Sequence, residues 1–338
     1  MTIRAAVIGL GWWGRHITKV LRDSPILRVT HGFDSVAQDV SDFANQHGLA
    51  LASSFEAILK DGSIDAVVLA TPHSLHESQA VAVIASGKPL FCEKPLALSV
   101  RGARRILELC EGKGFVLGIG HERRFEPAME EALAISRSGR HGLLLHMEAN
   151  VSHDALARLD PGNWRHNPSD APAGVWTGLG VHLSDLFVSF AGRPVSVRAR
   201  TAKKTRMPGA EDYVSCDLTF ASGATGSITC LSATPYYGRL TVFGEKGWLE
   251  VRENGNVDLG MPSEIVVCDA QGGRTIKSFP AAPTVRANLE AWALAIGDRA
   301  GAANYRFTPT EILDNIRILE GVVLSSRSAS SEIALDSL

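Results

Sequence analysis

Six residues constrain this chain more than any others: Gly9-Leu10-Gly11-Trp12-Trp13-Gly14, directly after the apolar run Ala5-Ala6-Val7-Ile8. The run reads as a first strand, Ile3–Ile8, and Arg15 to Leu21 continue as a helix-compatible segment. In such a strand–turn–helix the first glycine permits the tight turn and the second lets backbone N–H groups approach a pyrophosphate. The third lets helix and strand pack closely, so that phosphates rest on the positive end of the helix. A chain with 32 glycines can produce this spacing by chance, so the plain alternative is a glycine turn with no ligand. The flanking strand and helix are the context the motif requires. Asp34, closing a second apolar stretch, stands where such a fold places an acid against a ribose.

The rest of the first 120 residues repeats this alternation. Strands are expected at Leu27–Phe33, Ala66–Ala70, Pro89–Cys92 and Phe115–Ile119, with helices around Gly14–Leu21, Gln38–His47, Glu77–Ser86 and Val100–Cys110. Short crossovers of this kind favour right-handed βαβ units and a doubly wound parallel sheet. Beyond residue 120 a helix at Pro127–Ser136 gives way to period-two runs: Leu143–Ala149, Val195–Ala202, Tyr213–Phe220, Ala224–Leu231, Leu240–Phe243 and Trp248–Val251. The expected fold class is α/β: an N-terminal Rossmann domain, residues 1–122, and a C-terminal α+β domain, residues 123–338, with a large, mostly antiparallel open sheet. Thr308-Pro309-Thr310-Glu311 reads as a capping box, and Ile312, Leu313, Ile316, Leu319 and Val323 behind it form a core stripe. The C-terminal helices have the option of packing back on the first domain. The irregular segment His153–Ala173 is long enough to suggest a functional loop.

Composition removes several function classes. A net charge of −2 gives no electrostatic reason to expect nucleic acid or an anionic membrane as partner. No apolar run reaches membrane-spanning length. Met1-Thr2-Ile3-Arg4 leads straight into the first strand, so no signal peptide is expected. Five cysteines without a C-x-x-C pair point to a reducing cytoplasm and away from structural zinc. His146, His153 and His166 lack metal-ligand spacing, and no metal is expected.

Chemistry concentrates at two strand ends. Cys92-Glu93-Lys94-Pro95 closes the strand predicted over Pro89–Cys92, and ligands of open α/β sheets bind just outside such carboxyl ends. A lysine there can donate a proton to a forming alkoxide, or accept one if its surroundings lower its pKa. Its plain alternative is a surface lysine paired with Glu93. Thr71-Pro72-His73 ends the preceding strand similarly, with His76 beyond it.

The glycine loop, Thr71-Pro72…His76, Glu93-Lys94-Pro95 and Gly174…Gly180-Val181-His182…Asp185, in that order, resemble the Gfo/Idh/MocA oxidoreductases over the whole length of the chain. The resemblance implies a Rossmann domain binding NAD or NADP and an α+β domain offering its sheet to substrate and oligomer contacts. It also implies hydride transfer between nicotinamide and a carbinol carbon of a sugar, cyclitol or related cyclic diol. By position, Gly9, Gly11 and Gly14, with backbone around Trp12 and Trp13, would hold the pyrophosphate. Asp34 would receive the adenosine ribose; with Ser35 and Val36 beside it and no arginine, NAD is favoured and NADP is the alternative. Thr71, Pro72, His73 and His76 would line the cofactor pocket, Glu93 would sit against the nicotinamide ribose, and Lys94, binding the cofactor at the same ribose, would be the catalytic or substrate-orienting lysine.

His182 would be a second proton-handling residue. Two departures accompany the resemblance. His73 stands where the family usually has asparagine. Gly178-Leu179-Gly180-Val181-His182 replaces an Asp-x-Gly-x-His element, so that Lys94 and His182 suffice, Thr177 or a loop residue fills the gap, or the chemistry is lost. Arg124, Trp164 and Arg165 would face the substrate, alongside Thr177 and His182. The expected partners are a small sugar-like molecule and further copies of the chain, a homo-dimer or homo-tetramer joined through the C-terminal sheet. Rival readings are a hydrolase or lyase using NAD transiently, and a non-catalytic dinucleotide-binding regulator.

Overall fold

A computed structural model describes residues 2–36, 40–205, 209–297 and 305–338, divided between two compact units. The first comprises residues up to Ala97, Arg101–Glu122 and Pro283–Pro309; the second comprises Leu98–Val100, Arg123–Ala282 and Thr310–Leu338.

The first unit is built on six strands: β1 (Ile3–Ile8), β2 (Leu27–Phe33), β3 (Ala50–Leu51), β4 (Ala66–Leu69), β5 (Leu90–Cys92) and β6 (Gly118–Ile119). They pair in parallel in the order β3-β2-β1-β4-β5-β6, the doubly wound arrangement expected. Strands covered on both faces read as unbroken apolar runs. Ala5 to Ile8 and Ala66 to Leu69 are all buried. Helices α1 (Trp12–Val20), α2 (Ser41–His47), α3 (Phe55–Lys60), α4 (His76–Ala85) and α5 (Val100–Lys113) make the crossovers. Gln38 and Asp39, at the expected start of the second helix, lie outside the described residues. The short α3 and β3 were not anticipated, and the last strand is shorter than Phe115–Ile119.

The chain returns to this unit much later. After α6 (Pro127–Arg137) and α7 (Val181–Ala191) in the second unit, α8 (Thr284–Gly297) packs against α1 and β2 and reaches β5 and β6 through Trp292 and Asn288. Trp292, fully buried, meets Phe91 edge-on at 5.5 Å between ring centroids, and its Nε1 donates to the Val116 carbonyl at 2.9 Å. Asn288 Nδ2 donates to the Ile119 carbonyl at 2.8 Å, and the Ile119 N–H donates to Tyr305 Oη at 3.2 Å. Gly118 makes this closeness possible: a Cβ there would stand 2.4 Å from the Phe91 ring.

The second unit carries a nine-stranded sheet: β7 (Leu144–Ser152), β8 (Pro194–Ala202), β9 (Tyr213–Phe220), β10 (Thr225–Leu231), β11 (Tyr237–Gly244), β12 (Gly247–Glu253), β13 (Ser263–Cys268), β14 (Arg274–Phe279) and β15 (Ile333–Ala334). Its order is β14-β13-β12-β11-β7-β10-β9-β8-β15, antiparallel except where β10 meets β7. Alternate residues such as Met147, Ala149 and Val151 turn inward while Glu148 turns outward to meet Arg239 at 2.8 Å. Helix α9 (Pro309–Arg327) begins at the expected proline and buries Ile312, Ile316 and Leu319. Its Glu311 engages Arg124 at 3.2 Å. No helix among the described residues is long and apolar enough to cross a membrane.

Candidate active site

In the first unit the strand order reverses between β1 and β4, the point at which open α/β sheets bind their ligands. Gly9 follows β1 with φ +89°, and a Cβ there would stand 2.6 Å from the Ala70 carbonyl at the end of β4. At Gly14 a Cβ would stand 1.9 Å from the Gly9 carbonyl, so this glycine lets α1 close against the turn. Gly11 has no protein atom within 4 Å on its Cβ side, which leaves the backbone before α1 open to approach. Close packing at two glycines and openness at the third fit a pyrophosphate at the N-terminus of this helix. Trp12 is 59% exposed; its ring lies 5.1 Å from Trp13, and Trp13 stacks on His16 at 5.0 Å.

Asp34 is half-buried and tied to the same turn: Oδ2 accepts from the Leu10 N–H at 2.7 Å and Oδ1 from the Val36 N–H at 3.0 Å. A carboxylate has about four acceptor positions, so capacity remains for ribose hydroxyls. The bonds to Leu10 and Val36 fix its orientation.

Thr71 and Pro72 close β4, and the Thr71 hydroxyl donates to Gln79 Oε1 at 2.6 Å. His76, expected to line the cofactor pocket, is 0% exposed, and both ring nitrogens face backbone carbonyls: Nδ1 that of Pro95 at 2.7 Å, Nε2 that of Thr71 at 3.0 Å. His73 is buried edge-on to it, ring centroids 5.7 Å apart.

Glu93 and Lys94 leave β5 beside this point, with the Glu93 N–H donating to the Leu69 carbonyl at 2.9 Å. Lys94 is half-buried and its N–H donates to Glu93 Oε2 at 3.3 Å. Burial, followed by the nearby Glu122 carboxylate, pushes the Glu93 carboxyl up to about 8. The Trp13 indole, whose buried Nε1 falls short of regular hydrogen-bond geometry, and Lys94 pull the other way. Gly120 admits this carboxyl: a Cβ there would stand 2.4 Å from Glu93 Oε2. Glu122 and Gly120 were not anticipated as parts of the site. Nothing in their spacing marks them, because they meet Glu93 only through sheet pairing.

The sign of the pH effect follows. A carboxyl raised in the fold contributes stability that is full below its unfolded value near 4.5 and lost as pH rises through about 8. Thermal unfolding should therefore show Tm falling between pH 5 and 8.5. Glu93→Gln should flatten that fall by several °C; an unchanged slope would contradict a protonated Glu93 at neutral pH.

In the second unit the Gly174…Asp185 stretch forms a π-helical turn, Trp176–Gly180, running into α7. His182 lies buried on the first turn of α7. Asp185, one turn on, accepts from Arg124 Nε at 2.8 Å and from a terminal nitrogen of the same guanidinium at 2.7 Å. With Glu311 on its remaining terminal nitrogen, the Arg124 guanidinium is buried between two carboxylates. Arg124 thereby braces α7, and removing one partner of such a buried pair costs about 3–5 kcal/mol. Asn315 Nδ2 supports the same helix through the Val181 carbonyl at 2.8 Å.

Thr177 is fully buried and its hydroxyl donates to the Pro172 carbonyl. At Gly178 a Cβ would meet only Leu156 Cδ1, at 3.7 Å, so the turn has room for a larger residue. Trp164 and Arg165 sit on a half-buried turn of the irregular loop, the guanidinium carbon 4.2 Å from its neighbour's ring centre. Lys94 belongs to the first unit and His182 to the second.

Among the described residues no group of three or more histidine, cysteine or acidic side chains is placed to hold a metal. All five cysteines are buried and unpaired, and burial pushes Cys110 and Cys230 up to about 12, far from nucleophilic thiolates.

Comparison with known proteins agrees with this geometry. Residues 3–121 match the oxidoreductase family with an NAD-binding Rossmann fold, and residues 129–250 match the GFO/IDH/MocA C-terminal domain. D-xylose 1-dehydrogenase (NADP(+)) 2 of Haloferax volcanii is 30% identical over 76% of this chain and 77% of its own. Trans-1,2-dihydrobenzene-1,2-diol dehydrogenase of Sus scrofa is 25% identical over 84% and 82%. An oxidoreductase of Schizosaccharomyces pombe is 31% identical over 48% of this chain, a match spanning 44% of that protein's length. The aldose-aldose oxidoreductase of Caulobacter crescentus, solved with glycerol, superposes with a TM-score of 0.84 over 99% of this chain and 100% of its own, at 22% identity. The chain belongs to the GFO/IDH/MocA family of oxidoreductases, with an NAD-binding Rossmann domain at its N-terminal side.

Proposed function

We propose that the protein is an NAD-preferring dehydrogenase or reductase acting on a secondary alcohol or ketone of a sugar, cyclitol or related cyclic diol. The observation that carries this reading is Lys94, half-buried at the carboxyl end of β5 beside the point where the sheet reverses order. Bound nicotinamide supplies the hydride acceptor or donor at its C4. The chain's own residues do the rest. Gly9, Gly11 and Gly14 present the backbone to the pyrophosphate, and Asp34 receives the adenosine ribose and repels a 2′-phosphate. Lys94 Nζ takes the hydroxyl proton during oxidation and returns it during reduction. His182 is the second proton-handling residue proposed, and Trp164 with Arg165 a substrate-binding pair. The names of the xylose and dihydrodiol dehydrogenases support a polyol or diol substrate. Five unpaired buried thiols suit a reducing, cytoplasmic setting, and the broad second sheet is the proposed face for a homo-dimer or homo-tetramer.

The test is NADH formation by the purified protein across sugars, cyclitols, sugar acids and cyclic diols, with NADP in parallel. Turnover with NAD exceeding that with NADP is expected. Silence across the panel with NAD still bound would replace this reading with transient-redox chemistry or a regulatory role.

A further inference from the structure

We infer that His76 is a positioning residue that holds the Lys94–Pro95 segment against the end of β4 by donating from both ring nitrogens. The inference rests on the reading of Lys94 as the proton-handling residue. Lys94 stands between two backbone anchors. On one side the Glu93 N–H is fixed to the Leu69 carbonyl of β4 at 2.9 Å. On the other, the Pro95 carbonyl lies 2.7 Å from His76 Nδ1. The opposite ring nitrogen, Nε2, lies 3.0 Å from the Thr71 carbonyl, at the end of the same strand. The imidazole therefore spans the ends of β4 and β5; its bond to the Pro95 carbonyl is buried and that to the Thr71 carbonyl partly so.

Carbonyl oxygens only accept hydrogen bonds, whereas a neutral imidazole has one donor and one acceptor. Two carbonyl partners at these distances leave a neutral ring with one lone pair directed at another. A ring protonated at both nitrogens satisfies both carbonyls with charge-assisted bonds, roughly twice as strong as neutral ones. Burial and the position of His76 at the first residue of α4 oppose the cation. The helix-end effect is weaker than one charge-assisted bond. Burial is the larger opposing cost; the doubly donating ring is inferred from geometry, because both its nitrogens meet carbonyls, that of Pro95 at 2.7 Å and that of Thr71 at 3.0 Å.

Three measurements test this, none of which needs the substrate. In protein with nitrogen-15-labelled histidine, long-range proton–nitrogen correlation at neutral pH should show both His76 nitrogens protonated, the signal being assigned by its loss in His76→Gln. A pyridine-like nitrogen on this ring would overturn the proposal, and this reading stands even if variants fold poorly. Hydrogen exchange of a peptide covering residues 91–98 should quicken at least tenfold in His76→Ala, with His76→Gln, which retains a side-chain donor, in between. Exchange equal to wild type in His76→Ala would overturn the clamp. NAD affinity, read by calorimetry, should stay within about threefold in His76→Ala; a larger loss would return His76 to the cofactor pocket. Failure of the dehydrogenase reading would appear as an inactive substrate panel and would leave these three results unmoved.

Discussion

Lys94→Ala is expected to lower NAD-linked turnover by about 10²–10⁴-fold, the range that a positioned proton-transfer group supplies, while NAD affinity changes by less than about threefold. The asymmetry follows from where the lysine sits. The pyrophosphate and adenosine contacts assigned to the chain belong to the β1–α1 turn and to Asp34, both tied together through the Leu10 N–H and both untouched by the substitution. Lys94→Arg should not rescue activity, because guanidinium stays protonated and cannot accept the hydroxyl proton. Initial rates with the best panel substrate, together with calorimetric NAD binding, check the prediction. A variant retaining a third of wild-type kcat would remove Lys94 from proton transfer. A parallel collapse of NAD binding would assign it to cofactor holding.

The second large effect is expected at Gly14. A methyl group there would begin 1.9 Å from the Gly9 carbonyl, against backbone that is itself held at φ +89° and pressed on the end of β4. No side-chain rotation relieves such a contact, so α1 must move away from the turn. Gly14→Ala should cost about 1–3 kcal/mol of stability as an overpacking substitution, and it should weaken NAD binding at least tenfold. Gly112→Ala is the matched control. Gly112 lies exposed within α5, where a Cβ would meet no atom within 4 Å. There the same change should stabilise by about 0.5–1 kcal/mol, through the entropy a helical glycine loses on folding. Urea unfolding and NAD titration of both variants decide the matter. Equal behaviour of the two would mean that Gly14 is a sequence coincidence.

Much of the first unit was legible because parallel strands covered on both faces carry a continuous apolar signal. Ile3–Ile8 and Leu27–Phe33 form with the expected ends, and Tyr213–Phe220 does so in the second sheet through period-two alternation. The signal fails where length or burial fails. Helix α3 has six residues, too few to display a helical period, and β3 has two. Strand β14, RTIKSF, is exposed along nearly its whole length. Charges such as Arg274 and Lys277 on an edge strand discourage pairing with another chain, and they also erase the alternation by which a strand is read. At the candidate site, local motifs were visible and long-range partners were not. Arg124 meets Asp185 and Glu311 only in the folded unit, and Glu93 meets Glu122 only across paired strands. His76 is alike: its motif position is local, but the Pro95 carbonyl that its ring meets is not.

The late return of Pro283–Pro309 to the first unit has a consequence for synthesis. When β6 leaves the ribosome, the groups that bond its backbone and cover the Phe91 ring, Asn288, Tyr305 and Trp292, have not been made. Strands β7 to β14 must all be translated first. The nucleotide-binding half is thus started first and finished late, and the nascent chain must wait with an apolar flank and an unpaired strand edge showing. That interval is when this protein most needs a holding chaperone, and a fragment ending at residue 122 would live in it permanently.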